Sequence, residues 1–177
     1  MYEMRAATAA DSTAVAEVVC ERSAWLSERG LGECADLADF FAAQAADPGQ
    51  PVWVLEHRTE GVVGFTTVLG TDGLPDWGFT ETERAESSLF LVTTFTRPNP
   101  HRLGRLIAWW ALDRAARDGV QWVRRGTGQE QLSRYYQVAQ GWDLLRVADL
   151  RGDKVFMLQR RATRMPGLPE LMTGRGL

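Results

Sequence analysis

Ser88-Leu89-Phe90-Leu91-Val92-Thr93-Thr94-Phe95-Thr96 runs into Arg97-Pro98-Asn99-Pro100-His101-Arg102 and then into Leu103-Gly104-Arg105-Leu106-Ile107. The first stretch reads as a strand that is apolar on both faces at its start, which suits the middle of a sheet. Pro98 and Pro100 end it. Leu103, Leu106, Ile107, Trp110 and Ala111 then recur at helical spacing as far as Asp118, and Gly119 supplies the stop. Val120–Arg124 reads as a second strand. Strand, helix and strand in this order predict a parallel pair joined by a right-handed crossover.

The flanks add antiparallel pieces. Tyr2–Ala6 reads as a short strand, and Thr8 with Asp11 three residues later forms a capping box that opens a helix. Val15, Val18, Val19, Trp25 and Leu26 keep helical spacing until Gly30. A second helix is predicted from about Asp36, with Leu37, Phe40, Phe41 and Ala45 on one face, stopped by Pro48-Gly49. Val52–Glu56 and Val62–Leu69 flank Arg58-Thr59-Glu60-Gly61 as a β-hairpin. Gly70–Glu86, with its clustered acids, Trp77 and Phe79, reads as a long surface loop. Leu132, Tyr135, Tyr136 and Ala139 predict a helix closed by Gly141. Trp142–Val147 and Val155–Leu158 predict a last hairpin across Arg151-Gly152-Asp153. The class expected is α/β: a mixed, mostly antiparallel sheet with a central parallel strand pair and helices on both faces. Residues 1–160 read as one domain. Residues 161–177, with Pro166, Pro169 and the late glycines Gly174 and Gly176, read as a loosely docked tail.

Composition narrows the function. The 177 residues carry 20 basic and 23 acidic side chains, a net charge of −3, which argues against gripping nucleic acid or an anionic membrane by bulk charge. The longest apolar run, Leu106–Leu112, is far short of a membrane span. Glu3, Asp11 and Glu17 stand where a signal peptide would need an apolar core, so the expected compartment is the cytoplasm. Cys20 and Cys34, with no CxxC and no His nearby, offer neither structural zinc nor a disulfide framework, and no metal is expected. Of the basic residues only Lys154 is not Arg, a bias read as genome composition.

The turn after the central strand is where chemistry is expected. A helix N-terminus presents free N–H groups and the positive end of its dipole, and a glycine there lets an anion approach the backbone. Arg97, His101, Arg102 and Arg105 add charge at the same place. The alternative is an ordinary strand–helix turn with solvated arginines.

Four pieces in this order resemble the GNAT superfamily of acyl-CoA-dependent N-acetyltransferases, over roughly Met4 to Arg160. Arg5-Ala6-Ala7-Thr8-Ala9-Ala10-Asp11 is similar to the family's opening strand and helix, and Trp25-Leu26-Ser27-Glu28-Arg29-Gly30-Leu31 resembles a stretch of one bacterial branch. Leu103-Gly104-Arg105-Leu106-Ile107-Ala108-Trp109-Trp110-Ala111 is similar to the second half of the pyrophosphate motif and its helix. Arg134-Tyr135-Tyr136-Gln137-Val138-Ala139-Gln140-Gly141-Trp142 resembles the ending of the fourth major helix. The motif itself is degenerate. Arg102 stands at its first glycine and Asn99 at its leading Gln/Arg, while Val92 stands where the branch often carries a His.

The resemblance implies acetyl-CoA as co-substrate, lying between the central strand and the next parallel strand. Its pantetheine would pair near Thr94, Phe95 and Thr96, and its pyrophosphate would sit over Arg97, His101, Arg102, Leu103, Gly104 and Arg105. A primary amine of a small molecule or peptide would attack the thioester directly in a ternary complex. Tyr136 is the first candidate for the acid that protonates the leaving thiolate, with Tyr135 as the alternative and a core aromatic role open for each. Glu86 is the candidate base by position, with Glu28 and Glu33 as rivals. Trp25 and Trp77 are candidates either for an acceptor wall or for core. The expected partner is an amine-bearing acceptor, with no nucleic acid and no membrane, and a homodimer is the candidate assembly. A different class of reading is a non-catalytic GNAT-fold module that binds an acyl-CoA or a partner. A third is transfer of a longer acyl group.

Overall fold

The computed structural model describes residues 1–168 and Met172; Pro169, Gly174 and Gly176 of the predicted tail lie outside the described residues. In chain order the elements are β1 (Tyr2–Ala6), α1 (Ser12–Ser27), α2 (Ala38–Ala46), β2 (Val52–His57), β3 (Gly61–Leu69) and α3 (Glu81–Ala85). β4 (Ser88–Thr96), α4 (Leu103–Arg117), β5 (Trp122–Thr127), α5 (Glu130–Gln140), β6 (Asp143–Leu150) and β7 (Asp153–Arg161) follow. The strands form one mixed sheet in the order β1-β2-β3-β4-β5-β7-β6, with helices at its sides. β4 is central and pairs in parallel with β5 from Ser88–Trp122 to Leu91–Arg125. β1–β2, β2–β3, β5–β7 and β6–β7 are antiparallel. The predicted class is the observed one. Among the described residues no helix is long and apolar enough to cross a membrane.

By its contacts the chain divides into two compact units. The first comprises Met1–Thr67, Thr93–Ala108 and the described residues from Pro166 on. Its core joins Val15, Val18 and Val19 of α1 to Phe41 and Ala45 of α2, Val52 and Val54 of β2 and Phe65 of β3. Burying one such side chain is worth about 1.5–3 kcal/mol, so this cluster holds the two helices on the hairpin. The Thr8–Asp11 box forms as read: the Thr8 N–H and hydroxyl donate to Asp11 Oδ2 at 2.8 and 2.9 Å. Arg5 adds a two-pronged pair to the same carboxylate at 2.8 Å per contact. Beside Arg5 the Asp11 carboxyl is held down at about 2. Gly64 of β3 is required by close approach, since a Cβ there would lie 2.9 Å from Thr96 Cγ2 and 3.0 Å from the Phe95 carbonyl oxygen.

The structure departs from the sequence pattern in two places. The second helix starts at Ala38, and its buried face is Ala38, Phe41 and Ala45. Phe40 is rotated about 100° from Phe41 and lies exposed, as does Leu37 before the helix. Gly70–Glu86 is not a plain surface loop. Thr80 and Glu83 cap α3 reciprocally, at 2.9 and 3.2 Å, and Leu74 and Phe79 are buried with Phe90 and Met157.

The second unit comprises Val68–Val92 and Trp109–Met165. Trp77 meets Phe90 edge-on at 5.3 Å and covers Gly126, where a Cβ would run into its ring. Gly141 closes α5 at φ 66°, a left-handed conformation that glycine adopts without penalty. The final hairpin is longer than its apolar pattern, with β7 reaching Arg161. Beyond it, buried Asp113 of α4 accepts from the Met165 N–H at 2.8 Å and from Arg164 Nε at 3.1 Å.

Candidate active site

In the first unit the exit of β4 is tightly held. Arg22 of α1 donates through Nε to the Thr96 carbonyl and through Nη2 to Thr96 Oγ1, each at 2.8 Å, and reaches the Arg97 carbonyl at 3.2 Å. Thr66 Oγ1 donates to the Thr93 carbonyl at 2.6 Å and lies 3.2 Å from Thr94 Oγ1. The Phe95 ring stacks on Phe65 at 5.6 Å and meets Phe41 at 5.4 Å, so its side chain belongs to the core and only its backbone faces other work. Arg97 is committed as well: its guanidinium pairs with Glu21 at 3.1 Å and Glu17 at 3.4 Å. Its charge is therefore neutralised by α1, which sequence spacing did not reveal.

The turn itself is built by Asn99. Its Oδ1 accepts from the His101 N–H at 2.7 Å and its carbonyl from the Arg102 N–H at 3.3 Å. The Arg102 carbonyl then accepts from the Arg105 N–H at 2.8 Å. Arg102 sits at φ 53°, a region that favours glycine. A non-glycine residue therefore carries the strain of this turn. The Leu103 side chain is buried, while His101 and Arg102 are exposed. A Cβ at Gly104 would meet nothing within 4 Å. Leu103 and Gly104 contribute first-turn N–H groups that α4 cannot satisfy from within. That is an arrangement suited to an anion.

In the second unit two consecutive arginines of β5 are buried on alternate sides. Arg124 pairs with Glu86 at 2.6 Å, lies 3.4 Å from Gln159 Oε1 and also donates to the Glu83 carbonyl. Burial lowers its pKa against the opposing pull of Glu86 and Glu83. Glu86, the candidate base, is therefore the counter-ion of a buried guanidinium. Arg125 donates through Nη2 to the Tyr136 hydroxyl at 2.7 Å, and its guanidinium lies 3.8 Å from the Tyr136 ring centroid and 5.4 Å from that of Trp142. Burial lowers the Arg125 pKa, with Tyr136 acting the other way. The Tyr135 and Tyr136 rings are 6.0 Å apart, and Tyr136 is the buried member.

The rivals are placed elsewhere. Exposed Glu28 lies 3.5 Å from Arg29, and exposed Glu33 accepts from Ser27 at 2.8 Å. Trp25 is flanked by Arg22 and Arg29 at 5.1 and 4.1 Å, and Trp77 packs in the core cluster around Phe90. The sequence reading missed Arg22, Arg124 and Arg125. A signal was available for the last two. Adjacent charges inside a strand next to buried Val123 cannot both face water in a covered sheet, so each needs a partner.

No protein-family model matches this sequence, and no curated protein matches it either. Solved structures do. A GNAT-family acetyltransferase from Listeria monocytogenes is 15% identical, with a TM-score of 0.64 over 90% of this chain and 94% of that one. An aminoglycoside acetyltransferase in complex with coenzyme A is 14% identical, with a TM-score of 0.61 over 91% and 95%. The Salmonella typhimurium protein yncA, with its cofactor acetyl-CoA, is 18% identical, with a TM-score of 0.51 over 93% and 96%. The fold of this chain is that of the GNAT acetyltransferases.

Proposed function

We propose that the protein is an N-acetyltransferase that moves an acetyl group from acetyl-CoA to a primary amine of a small molecule or peptide. The observation that carries this reading is the start of α4, where unsatisfied N–H groups meet open space over Gly104. The fold supports it. Leu103 and Gly104 would hold the pyrophosphate through their N–H groups, with His101, Arg102 and Arg105 adding positive charge around it. Backbone groups of Thr94 and Phe95 would pair with the pantetheine, and the Thr96 carbonyl is already spent on Arg22.

Acetyl-CoA supplies an acetyl group on a thioester, which an amine can attack without a covalent enzyme intermediate. The carbon–nitrogen bond forms, the carbon–sulfur bond breaks, and Tyr136 gives its phenolic proton to the departing sulfur. The attacking nitrogen gives up its surplus proton to water as it becomes the amide, and Tyr136 regains a proton from solvent, so the two balance. An aliphatic amine has a pKa near 10, so it must lose a proton before attack. With Glu86 committed to Arg124, that proton goes to water. One observation favours a binding module without catalysis, namely the same commitment of Glu86.

The test is a melt with acetyl-CoA followed by thiol release with a panel of amines. Ligand at about 100 times its Kd adds roughly 2.7 kcal/mol, a Tm rise of about 5–10 °C. Gly104→Glu should abolish that rise while the ligand-free Tm stays within about 2 °C, because a helix N-terminus tolerates an acid. No rise with the unsubstituted protein refutes the cofactor assignment, and binding without turnover of any amine selects the module.

A further inference from the structure

Arg125 is a buried cation without a buried anion. Its polar partner is the Tyr136 hydroxyl, its Nε has no hydrogen-bond partner, and among the described residues no carboxylate pairs with it. Its guanidinium also lies over the rings of Tyr136 and Trp142. A desolvated charge held only by a neutral hydroxyl and two aromatic faces is expensive in the resting protein. Nearby Arg124, also buried, is given a carboxylate. The contrast asks what compensates Arg125.

The polarity of the Arg125–Tyr136 bond answers it. A guanidinium has donors and no acceptor, so Tyr136 Oη can only accept in this contact. The phenolic hydrogen is left over, and none of the described residues accepts it. Tyr136 is thus held ring and oxygen, with its proton available to something that is not part of the chain. If that proton leaves, the negative charge appears on an oxygen 2.7 Å from a guanidinium nitrogen. A pair that is half-empty at rest becomes an ion pair as the proton departs. Fixed charge waiting where charge develops, in a site shielded from water, is the arrangement that lowers a barrier without tightening ground-state binding.

We propose that Arg125 is a positioning residue for proton delivery: it holds the Tyr136 hydroxyl as an acceptor and compensates the phenolate formed when Tyr136 protonates the leaving thiolate. The proposal rests on the acetyltransferase reading and on Tyr136 as its acid. Proton and charge balance within the step. The oxygen–hydrogen bond of Tyr136 breaks, the sulfur–hydrogen bond forms, and the phenolate remains beside Arg125 until solvent returns a proton.

The test is a double-mutant cycle on the full chain, with acetyl-CoA and the best amine of the panel. Arg125→Met should lower kcat by about 10²-fold with little change in the KM for acetyl-CoA, the magnitude typical of removing one fixed donor from developing charge. Arg125→Lys, which keeps a donor and a charge, should recover about tenfold of that loss. In a Tyr136→Phe background Arg125→Met should cost less than about threefold more, because its effect passes through the hydroxyl. If Arg125→Met fails to fold, Arg125→Gln takes its place, keeping a donor and losing the charge. Equal losses in both backgrounds overturn the proposal, as does a loss confined to Tm or KM. Normal turnover by Tyr136→Phe overturns it while leaving the acetyltransferase reading intact. Absence of turnover by the unsubstituted protein overturns both.

Discussion

Glu86 was the candidate base, and the structure makes it the counter-ion of Arg124, so Glu86→Ala separates the two roles. The Arg124 side chain is fully buried, whereas Glu86 is 35% exposed. Removing one partner of a buried pair costs about 3–5 kcal/mol, because the other charge is left uncompensated. The exposed flank of Glu86 and the surviving contacts of Arg124 to the Glu83 carbonyl and Gln159 place the expected loss at the lower end, about 3 kcal/mol. For a chain of this size that is a Tm fall of roughly 6–12 °C, read by circular dichroism. The partner control is Glu86→Leu with Arg124→Met, which removes both charges and should restore most of the stability. Acetyl transfer is then measured well below either melting point. A variant Glu86→Ala that melts within about 2 °C of the parent and yet loses more than about 10²-fold in kcat would refute the clamp and return Glu86 to the base role.

Two further outcomes follow from the backbone and from charge. Arg102→Gly should be more stable in urea than Arg102→Ala by about 0.5–1 kcal/mol, since both lose the arginine side chain and glycine alone relieves the left-handed backbone; a midpoint no higher than that of Arg102→Ala would show that φ 53° carries no strain. Asp11 titrates at about 2 in the fold, held down first by its bond to Arg5, so it stabilises the fold above the ordinary carboxylate value of 3.8 and that stability is lost as pH falls toward 2. The loss is about 2 kcal/mol between those limits, and urea unfolding of Asp11→Asn should show a correspondingly flatter acid limb.

Backbone punctuation was legible in the sequence because it depends on neighbours in the chain. Thr8 and Asp11 met as read, Gly141 turned left-handed after α5, and the doubly apolar start at Ser88 placed β4 in the centre. The errors arose where a local signal was read at the wrong scale. Thr80 and Glu83 form the same kind of box as Thr8 and Asp11, but the surrounding acids made the segment look like plain surface. Phe40 and Phe41 are both apolar, and only the start of α2 at Ala38 decides which one faces inward. For the candidate site, only what is local in the chain was legible. Gly104 and the turn were singled out by pattern, and Tyr136 by resemblance, whereas the partners of Arg97, Glu86 and Tyr136 lie on other elements. Their separations in sequence are set by topology and leave no periodic trace.

The arginine bias, read at first as genome composition, has become a structural dependence at particular sites. Arg5 spans both oxygens of Asp11, Arg22 ties three acceptors at the end of β4, and Arg124 joins a carboxylate, a carbonyl and an amide. Arg125 bonds a hydroxyl while lying over two rings. The first three use the planar fork, with several donors at fixed angles, and Arg125 uses its flat face over the rings; the point charge of a lysine reproduces neither. Whatever fixed the composition, Lys at Arg5, Arg22 or Arg124 would leave acceptors unmet that the fork now reaches. The same reasoning separates them from Arg134, whose exposed guanidinium lies 3.9 Å from Glu130 on the surface of α5, where exchange for Lys should cost almost nothing. Function then inherits this dependence unequally. Arg22 and Arg124 spend their charge on holding β4 and the α3 segment, whereas Arg125 alone of the buried set keeps its charge uncompensated beside a hydroxyl that can ionise.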